Sequence, residues 1–217
     1  MAPPVAGLTG VLLVGGASAR FGRPKPVAQL WGRTLAEIGW DLLGEACDER
    51  IAVGKEKDGL DLPFPVVDDA IEVRAPLAGV VAGLRAAKHE LCVVLPVDCP
   101  LMTADALRSL ARDCADAAVP SLDAPLPGAY RRSALPVLER RLAARELALR
   151  DALRELDVRE LRVDPALLVN VNTPAELEAL QRPAIDARPG GETNRSRSAP
   201  VPTSETSTSS SPSTNST

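Results

Sequence analysis

A glycine-rich stretch near the start of the chain combines the residue types that bind phosphate. It runs from Leu12 to Lys25 as LLVGGASARFGRPK, an apolar run followed by Gly15 and Gly16 and then by Arg20 and Lys25. Backbone N–H groups of such a turn approach an anion closely, because glycine has no Cβ. Arg20 and Lys25 have the charge to neutralise the β- and γ-phosphates of a nucleotide. Many glycine-rich loops bind nothing, so the rest of the chain has to decide.

The same stretch does not match two common phosphate-binding patterns. A dinucleotide fingerprint needs G-x-G-x-x-G, and Gly15, Gly16 and Gly22 are spaced differently. A P-loop needs lysine directly after its second glycine, whereas residues 23–24 separate Gly22 from Lys25. The sequence therefore implies neither an NAD enzyme nor a P-loop NTPase.

A carboxylate at the end of an apolar run is the first candidate metal ligand. Asp98 ends the run in LCVVLPVDCPLMT, between two prolines. At the carboxyl end of a central parallel strand it would face the ligand crevice and hold Mg²⁺ through oxygen. The alternative is an aspartate that only caps the turn before Thr103.

Two asparagines near the end of the apolar pattern are candidate partners for that carboxylate. Asn170 and Asn172 alternate in VNVNTPAEL, so on a strand their side chains point to one face. Amide oxygens are hard ligands suited to a magnesium site for phosphoryl chemistry. The alternative is a turn before Thr173, which is predicted to cap a helix with Pro174 and Glu176.

Two further acids precede the segment that opens a predicted helix. Asp68 and Asp69 end the apolar run in VVDDAIEVRAPLAG. Carboxylates there can accept hydrogen bonds from a base edge or a ribose, and guanine offers N1–H and N2–H₂ donors. The residues alone leave both Asp68 and Asp69 as candidates; the family resemblance given below favours Asp69.

Composition excludes several classes of function. The 217 residues carry a net charge of −4, which gives no support to nucleic-acid binding. Four cysteines form no C-x-x-C pair and His89 is the one histidine, so zinc chemistry and a histidine-based triad are not expected. Buried, reduced thiols fit the cytoplasm. No run is long enough to span a bilayer and the N-terminus lacks a basic leader, so no membrane attachment is expected.

Short β-type runs alternate with helical patterns and define the predicted architecture. They predict a three-layer, doubly wound α/β fold with a mostly parallel sheet. The predicted strands are TGVLLVG, RIAVG, FPVVD, LCVVLPVD, AAVPS, PGAYR, VRELRV and LLVNVN. The predicted helices are 34–47, 76–89, 104–114, 133–144, 147–155 and a last one after Thr173. Residues 1–182 are expected to form the domain, and the Pro-, Ser- and Thr-rich residues 183–217 a disordered tail.

Five motifs occur in the order of a known family. The opening stretch resembles the L-x-G-G-x-S-x-R-M/F-G-x-x-K signature of nucleotidyltransferases, and most closely the molybdenum cofactor guanylyltransferases of the MobA type. Asp98 matches the metal-binding D-x-P of that family, and the segment after Asp69 is similar to its G-P-L-A-G turn. N-V-N-T-P is similar to its C-terminal motif, and PLPGAYRR resembles a P-L-x-G-V-Y-R-R segment near the acceptor. The resemblance implies a Rossmann-like nucleotidyltransferase fold.

The resemblance also implies roles for individual residues. The catalytic residues are Arg20, Lys25 and Asp98. The nucleotide-binding residues are Leu13, Val14, Gly15, Gly16, Lys25, Asp69, Pro76, Leu77, Gly79 and Asp98. The Mg²⁺ ligands are Asp98, Asn170 and Asn172, and the acceptor contacts are Tyr130, Arg131 and Arg132, with solvated surface arginines as the alternative for the last two.

The implied reaction transfers GMP from GTP to molybdenum-loaded molybdopterin and releases pyrophosphate. Molybdoenzymes or their chaperones would be the recipients of the product. The alternatives are a nucleotidyltransferase with another specificity, for cytidylyl or sugar-phosphate transfer, and a non-catalytic nucleotide- or pterin-binding module. The sequence departs from the family pattern at Val14, usually alanine, and at Ala75, usually glycine. A methyl group at Ala75 is expected to restrict a backbone that needs positive φ.

Overall fold

A single seven-stranded sheet forms the centre of the protein. The computed structural model describes residues 7–15, 21–22 and 24–182; the predicted tail, 183–217, lies outside the described residues. The strands of the sheet are β1 (Leu8–Leu13), β4 (Glu49–Gly54), β5 (Val66–Asp68), β6 (Leu91–Pro96), β7 (Ala117–Val119), β8 (Gly128–Arg131) and β9 (Val158–Glu160). A separate hairpin consists of β2 (Gln29–Leu30) and β3 (Arg33–Thr34).

The strand order is β5-β4-β1-β6-β8-β7-β9. All neighbouring strands are parallel except that β8 runs antiparallel to both β6 and β7. All six residues of β1 are buried, as is typical of a central parallel strand that is covered on both faces. The predicted mostly parallel sheet is confirmed.

Helices cover both faces of the sheet, as predicted for a three-layer fold. They are α1 (Leu35–Ala46), α2 (Pro76–Ala86), α3 (Ala104–Arg112), α4 (Leu135–Ala143), α5 (Leu149–Leu153) and α6 (Pro174–Gln181). Side chains of α1, α3 and α6 enter one apolar cluster, and those of α2, α4 and α5 enter the other. Alternate residues of β1 supply both clusters, with Leu12 in the first and Val11 in the second. None of the helices described is long and apolar enough to cross a membrane.

Two helices begin at capping boxes. The Thr34 hydroxyl accepts a hydrogen bond from the backbone N–H of Glu37, whose carboxylate accepts one from the Thr34 backbone N–H. Thr173 and Glu176 form the same arrangement before α6, which confirms the prediction made from that sequence. Each box satisfies backbone donors that the first helical turn leaves unpaired.

The hairpin of β2 and β3 was not predicted. Its turn contains Trp31 and Gly32, both with positive φ, 52° and 77°. A two-residue turn of this kind matches the twist of the strands that it joins. Trp31 is an unusual residue for that conformation, and its indole Nε1 donates to the Leu180 carbonyl oxygen at 3.2 Å. The sequence gives only a weak signal for this hairpin, because each of its strands has only two residues.

The predicted strand LLVNVN is wrong. Instead, a short 3₁₀ helix covers Pro165–Leu168, and the Asp164 side chain caps it. Proline suits the first helical position and its nitrogen cannot donate a hydrogen bond in a sheet, which favours a helix over a strand here. Residues 169–172 pair with no strand in the described structure. A backbone hydrogen bond from Val171 N to the carbonyl oxygen of Asp98, at 2.8 Å, helps to hold them beside the end of β6.

Replacing Thr34 with alanine is expected to lower the free energy of unfolding by about 1 kcal/mol, because the first turn of α1 loses its side-chain acceptor. Urea unfolding followed by circular dichroism measures the difference. Thr34→Ser keeps the hydroxyl and serves as the control. Equal stability of Thr34→Ala and the wild type would show that the box contributes nothing.

Candidate active site

The carboxyl ends of four parallel strands border one cavity of about 410 Å³. The strands β4, β1 and β6 end level with each other, since Leu13 pairs with Val53 on one side and with Pro96 on the other. Ligands of doubly wound sheets bind at this edge. The lining residues include Leu13, Val14, Gly15, Lys25, Gly54, Lys55, Asp69, Arg74, Pro76, Gly79, Asp98 and Asn170.

A cation and two oxygen ligands meet at the end of β6. Nζ of Lys25 donates to Oδ2 of Asp98 at 3.0 Å and to Oδ1 of Asn172 at 2.9 Å. Lys25 stands in a one-turn 3₁₀ helix, Lys25–Val27, directly after the glycine-rich stretch. The structure therefore brings together three residues that the sequence placed in one site.

Asn170 lies in the same cavity, but its amide oxygen contacts another group. Oδ1 of Asn170 accepts a hydrogen bond from Sγ of Cys99 at 2.9 Å. Cys99 is 2% exposed, so this contact attaches the Asn170 side chain to the buried core beside the cavity. Asn170 and Asn172 are both exposed and flank the buried Val171, which agrees with the expected common face although no strand forms.

The oxygen atoms around Lys25 suit a hard divalent cation. Carboxylate and amide oxygens are ligands that Mg²⁺ prefers, and Oδ2 of Asp98 and Oδ1 of Asn172 already converge on one positive group. Within the described part of the chain, no cluster of three or more His, Cys, Asp or Glu side chains is able to hold a metal ion. Any such ion here would therefore be held by a mixed carboxylate and amide set.

The floor of the cavity is built from Val14, Gly15 and Gly54. Val14 is buried and its backbone N–H donates to the Val53 carbonyl oxygen at 2.9 Å. A Cβ atom added to Gly54 would lie 2.9 Å from Cγ2 of Val14, and one added to Gly15 would lie 3.4 Å from Cα of Gly54. Val14 therefore fits because residue 54 has no side chain.

The first turn of α2 points at the cavity. The helix begins at Pro76, directly after Ala75. Helix N-termini carry a positive partial charge and therefore favour anions. A Cβ atom on Gly79 would lie 2.8 Å from Cδ2 of Leu13, so glycine allows this close approach. The predicted contact residue Leu77 does not line the cavity, because its side chain is fully buried in the core.

The expected restriction at Ala75 is wrong. Its φ of −144° and ψ of 142° describe extended backbone, which any residue adopts. The alanine therefore causes no strain at the start of α2.

The structure separates the two neighbouring acids. Oδ2 of Asp68 accepts from Glu56 N at 2.9 Å and its Oδ1 accepts from Ala70 N at 2.6 Å, and Asp68 does not line the cavity beside Asp98. These backbone hydrogen bonds lower the pKa of Asp68. Asp69 lines the cavity and pairs with Nζ of Lys55 at 2.7 Å. The preference for Asp69 agrees with this geometry.

Sequence reasoning missed Lys55 and Arg74, which also line the cavity. Lys55 directly follows β4 and is 4% exposed. Arg74 forms a two-pronged ion pair with Asp58, and its hydrogen bonds lower the pKa of that carboxyl. The position of Lys55 at the end of a predicted strand could have marked it as a candidate site residue. Nothing in the sequence shows that its side chain is buried.

The structure does not bring the predicted acceptor contacts to the cavity. Tyr130 is fully buried, and its hydroxyl donates to the Pro125 carbonyl oxygen at 2.6 Å. Because β8 runs antiparallel to β6, Arg131 pairs with Leu91 at the opposite end of the strand from Asp98.

Both arginines are used for structure instead. Arg131 Nε donates to the Cys114 carbonyl oxygen at 3.1 Å, and Arg132 Nη2 donates to the Ala87 carbonyl oxygen at 2.6 Å. The expectation that they contact the acceptor is therefore corrected. Gly16 and Arg20, two further predicted contacts, lie outside the described residues.

A cavity at the carboxyl ends of parallel strands, with an acid, a lysine and a helix N-terminus around it, defines a nucleotide-binding α/β protein. The chain belongs to the family described as MobA-like NTP transferase domain, which matches residues 10–184. This is a nucleotidyltransferase family, so the resemblance is confirmed.

Individual relatives agree with that family. A probable molybdenum cofactor guanylyltransferase from Carboxydothermus hydrogenoformans is 31% identical over 186 residues, covering 80% of this chain and 94% of the relative. A molybdenum cofactor guanylyltransferase from Desulfosudis oleivorans is also 31% identical, covering 79% and 93%. The crystal structure of molybdopterin-guanine dinucleotide biosynthesis protein A from Archaeoglobus fulgidus has a TM-score of 0.68 and 25% identity, covering 80% and 96%.

The buried thiols, of which Cys99 lies beside the site, are expected to be unreactive. Desolvation by burial, the main cause, raises the pKa of Cys99 to about 12, and burial does the same for Cys92 and Cys114. At pH 8 a thiol reagent should modify these residues at least about 100-fold more slowly in the native than in the urea-unfolded protein, because only the thiolate reacts.

An Ala179→Cys variant, exposed on α6, provides the control and should react at the unfolded rate. The raised pKa values also predict how the free energy of unfolding depends on pH. The contribution of the buried thiols is fully present below their unfolded pKa of about 8.5 and decreases as the pH rises above that value. Rapid native labelling of Cys99 would contradict both expectations.

Proposed function

We propose that the protein transfers GMP from GTP to molybdenum-loaded molybdopterin, forming molybdopterin guanine dinucleotide and pyrophosphate. The observation that carries the proposal is the junction of Lys25, Asp98 and Asn172 at the mouth of a nucleotide-sized cavity. The names of the relatives at 31% identity support the choice of guanine and pterin.

Asp98, with Asn172 and Asn170, is proposed to hold Mg²⁺. The ammonium of Lys25 lies between Asp98 and Asn172, so the same oxygens already stabilise a positive charge. The ion, when bound, neutralises negative charge on the phosphate oxygens. With these oxygens occupied by the ion, the ammonium of Lys25 would be available to contact the triphosphate.

Lys25 and Arg20 are proposed to stabilise the leaving pyrophosphate. Negative charge on the β- and γ-phosphates increases as the bond to the α-phosphorus breaks. Cationic groups that are already fixed in place lower the energy of the transition state more than that of the bound substrate. The N-terminus of α2, at Pro76, adds a positive partial charge at the same cavity.

The proposed reaction needs no general base. The attacking group is the terminal phosphate of molybdopterin, and a phosphate monoester is already anionic at neutral pH. Attack on the α-phosphorus in line with the departing pyrophosphate makes positioning the main requirement. This fits a cavity whose described lining contains no histidine.

We further propose that the reaction takes place in the cytoplasm. Cys47, Cys92, Cys99 and Cys114 are all free thiols. Proteins of oxidising compartments usually carry disulfides, so four unpaired cysteines favour a reducing compartment. Molybdoenzymes or their chaperones would then receive the product in that compartment.

Asp98→Asn is expected to lower turnover by about 100-fold or more, because the carboxylate is the strongest ligand available to the metal. The assay measures pyrophosphate released with Mg²⁺, GTP and molybdate-loaded molybdopterin. Asp105→Asn, an equal loss of charge on the exposed face of α3, is the matched control and should keep wild-type turnover. Wild-type turnover in Asp98→Asn would exclude the proposed metal site.

The choice of nucleotide is tested with the same assay. Purified protein should release pyrophosphate with GTP and much more slowly with CTP or UTP. A preference for CTP would replace the guanylyl assignment with cytidylyl transfer. No turnover with any nucleotide, together with tight nucleotide binding, would favour a binding module.

A further inference from the structure

Lys55 is the most deeply buried charged side chain described at the cavity. It is 4% exposed and its Nζ donates to Oδ1 of Asp69 at 2.7 Å and to the carbonyl oxygen of Ile71. Oδ1 of Asp69 also accepts from Ile71 N at 3.1 Å. Burying an ammonium group is costly unless it is paired, so this position is built around the Lys55–Asp69 pair.

The pair leaves one donor and one acceptor for a ligand. An ammonium group carries three donors, and among the residues described here Nζ of Lys55 has two acceptors. No described residue donates to Oδ2 of Asp69, since both hydrogen bonds to this carboxylate use Oδ1. Because both residues line the cavity, the remaining groups are available to a nucleotide.

Lys55 also removes an electrostatic conflict. A lone carboxylate in the cavity would repel the triphosphate that the same cavity is proposed to hold. Paired with Lys55, Asp69 keeps its acceptor oxygens while the pair has no net charge. The site can thus recognise a donor on the base without repelling the phosphates.

We propose that Lys55 determines base specificity together with Asp69, by presenting a donor beside an acceptor to the edge of a 6-oxopurine. In guanine, O6 accepts and the adjacent N1–H donates, so Lys55 pairs with O6 and Oδ2 of Asp69 with N1–H. This inference rests on the proposed function, and it adds a residue that reads the base.

The same pair rejects bases with the opposite pattern. Adenine presents an amino donor beside the N1 acceptor, and cytosine presents an amino donor beside the N3 acceptor. Either base would set donor against donor at Lys55 and acceptor against acceptor at Asp69. Buried polar groups left unpaired in this way cost much more than a lost contact at the surface.

Nucleotide binding with Mg²⁺, without the pterin, tests this proposal. Calorimetry compares the Kd values of GTP, ITP and ATP for the wild type, Lys55→Met and Lys57→Met. ITP keeps O6 and N1–H, whereas ATP has the same ring size with the opposite edge. Lys57 is exposed two residues further along the chain, so its loss is the matched change in charge.

The wild type and Lys57→Met should bind GTP and ITP far more tightly than ATP. In Lys55→Met the ratio of GTP to ATP affinity should fall at least about tenfold, because the variant loses the contact with O6. A structural role alone would weaken GTP and ATP equally and leave this ratio unchanged. An unchanged ratio in folded Lys55→Met therefore overturns the proposal.

Asp69→Asn provides an isosteric second variant if Lys55→Met fails to fold. It retains an oxygen for Lys55 and places an amide donor where N1–H of guanine must donate, so GTP and ITP affinities should fall together while ATP changes little. Retained discrimination in Asp69→Asn also overturns the inference. A wild type that prefers CTP would instead contradict the proposed function, so the two failures are distinguishable.

Discussion

The parallel pairing of β1 with β4 on one side and with β6 on the other brings Lys55 and Asp98 to the same edge of the sheet. Because Leu13 is level with both Val53 and Pro96, the strands β1, β4 and β6 end at the same edge of the sheet. Gly15, Lys55 and Asp98, each two residues further along the sequence, therefore border the same cavity. A shift of one residue in the pairing of β1 with β4 or with β6 would turn the side chain of Lys55 or of Asp98, respectively, to the opposite face of the sheet.

Lys25 connects segments that are distant in the chain. Its ammonium joins Asp98, 73 residues away, and Asn172, 147 residues away. The backbone contact between Val171 and Asp98 strengthens the same junction. The C-terminal segment is thus held at the site before any ligand binds, which reduces the entropy lost on binding.

The sequence predicted the parts of the site that follow long apolar runs. Asp98 comes directly after such a run, Asp69 follows a shorter one that ends at Asp68, and the capping box at Thr173 located the start of α6. Lys55 was missed because residue type gives no measure of burial. Arg131 was misplaced because the sequence of a short strand does not say whether it runs parallel or antiparallel to its neighbours.

The contact between Val14 and Gly54 links two positions on neighbouring strands. Cγ2 of Val14 fills the space that a side chain at position 54 would need. With alanine at position 14 the closest contact would be lost, and Cγ1 of Val66, 3.2 Å from a Cβ atom at position 54, would become the main restriction on a side chain there. The two positions should therefore covary in evolution, because the residue at one limits the size of the residue that the other can hold.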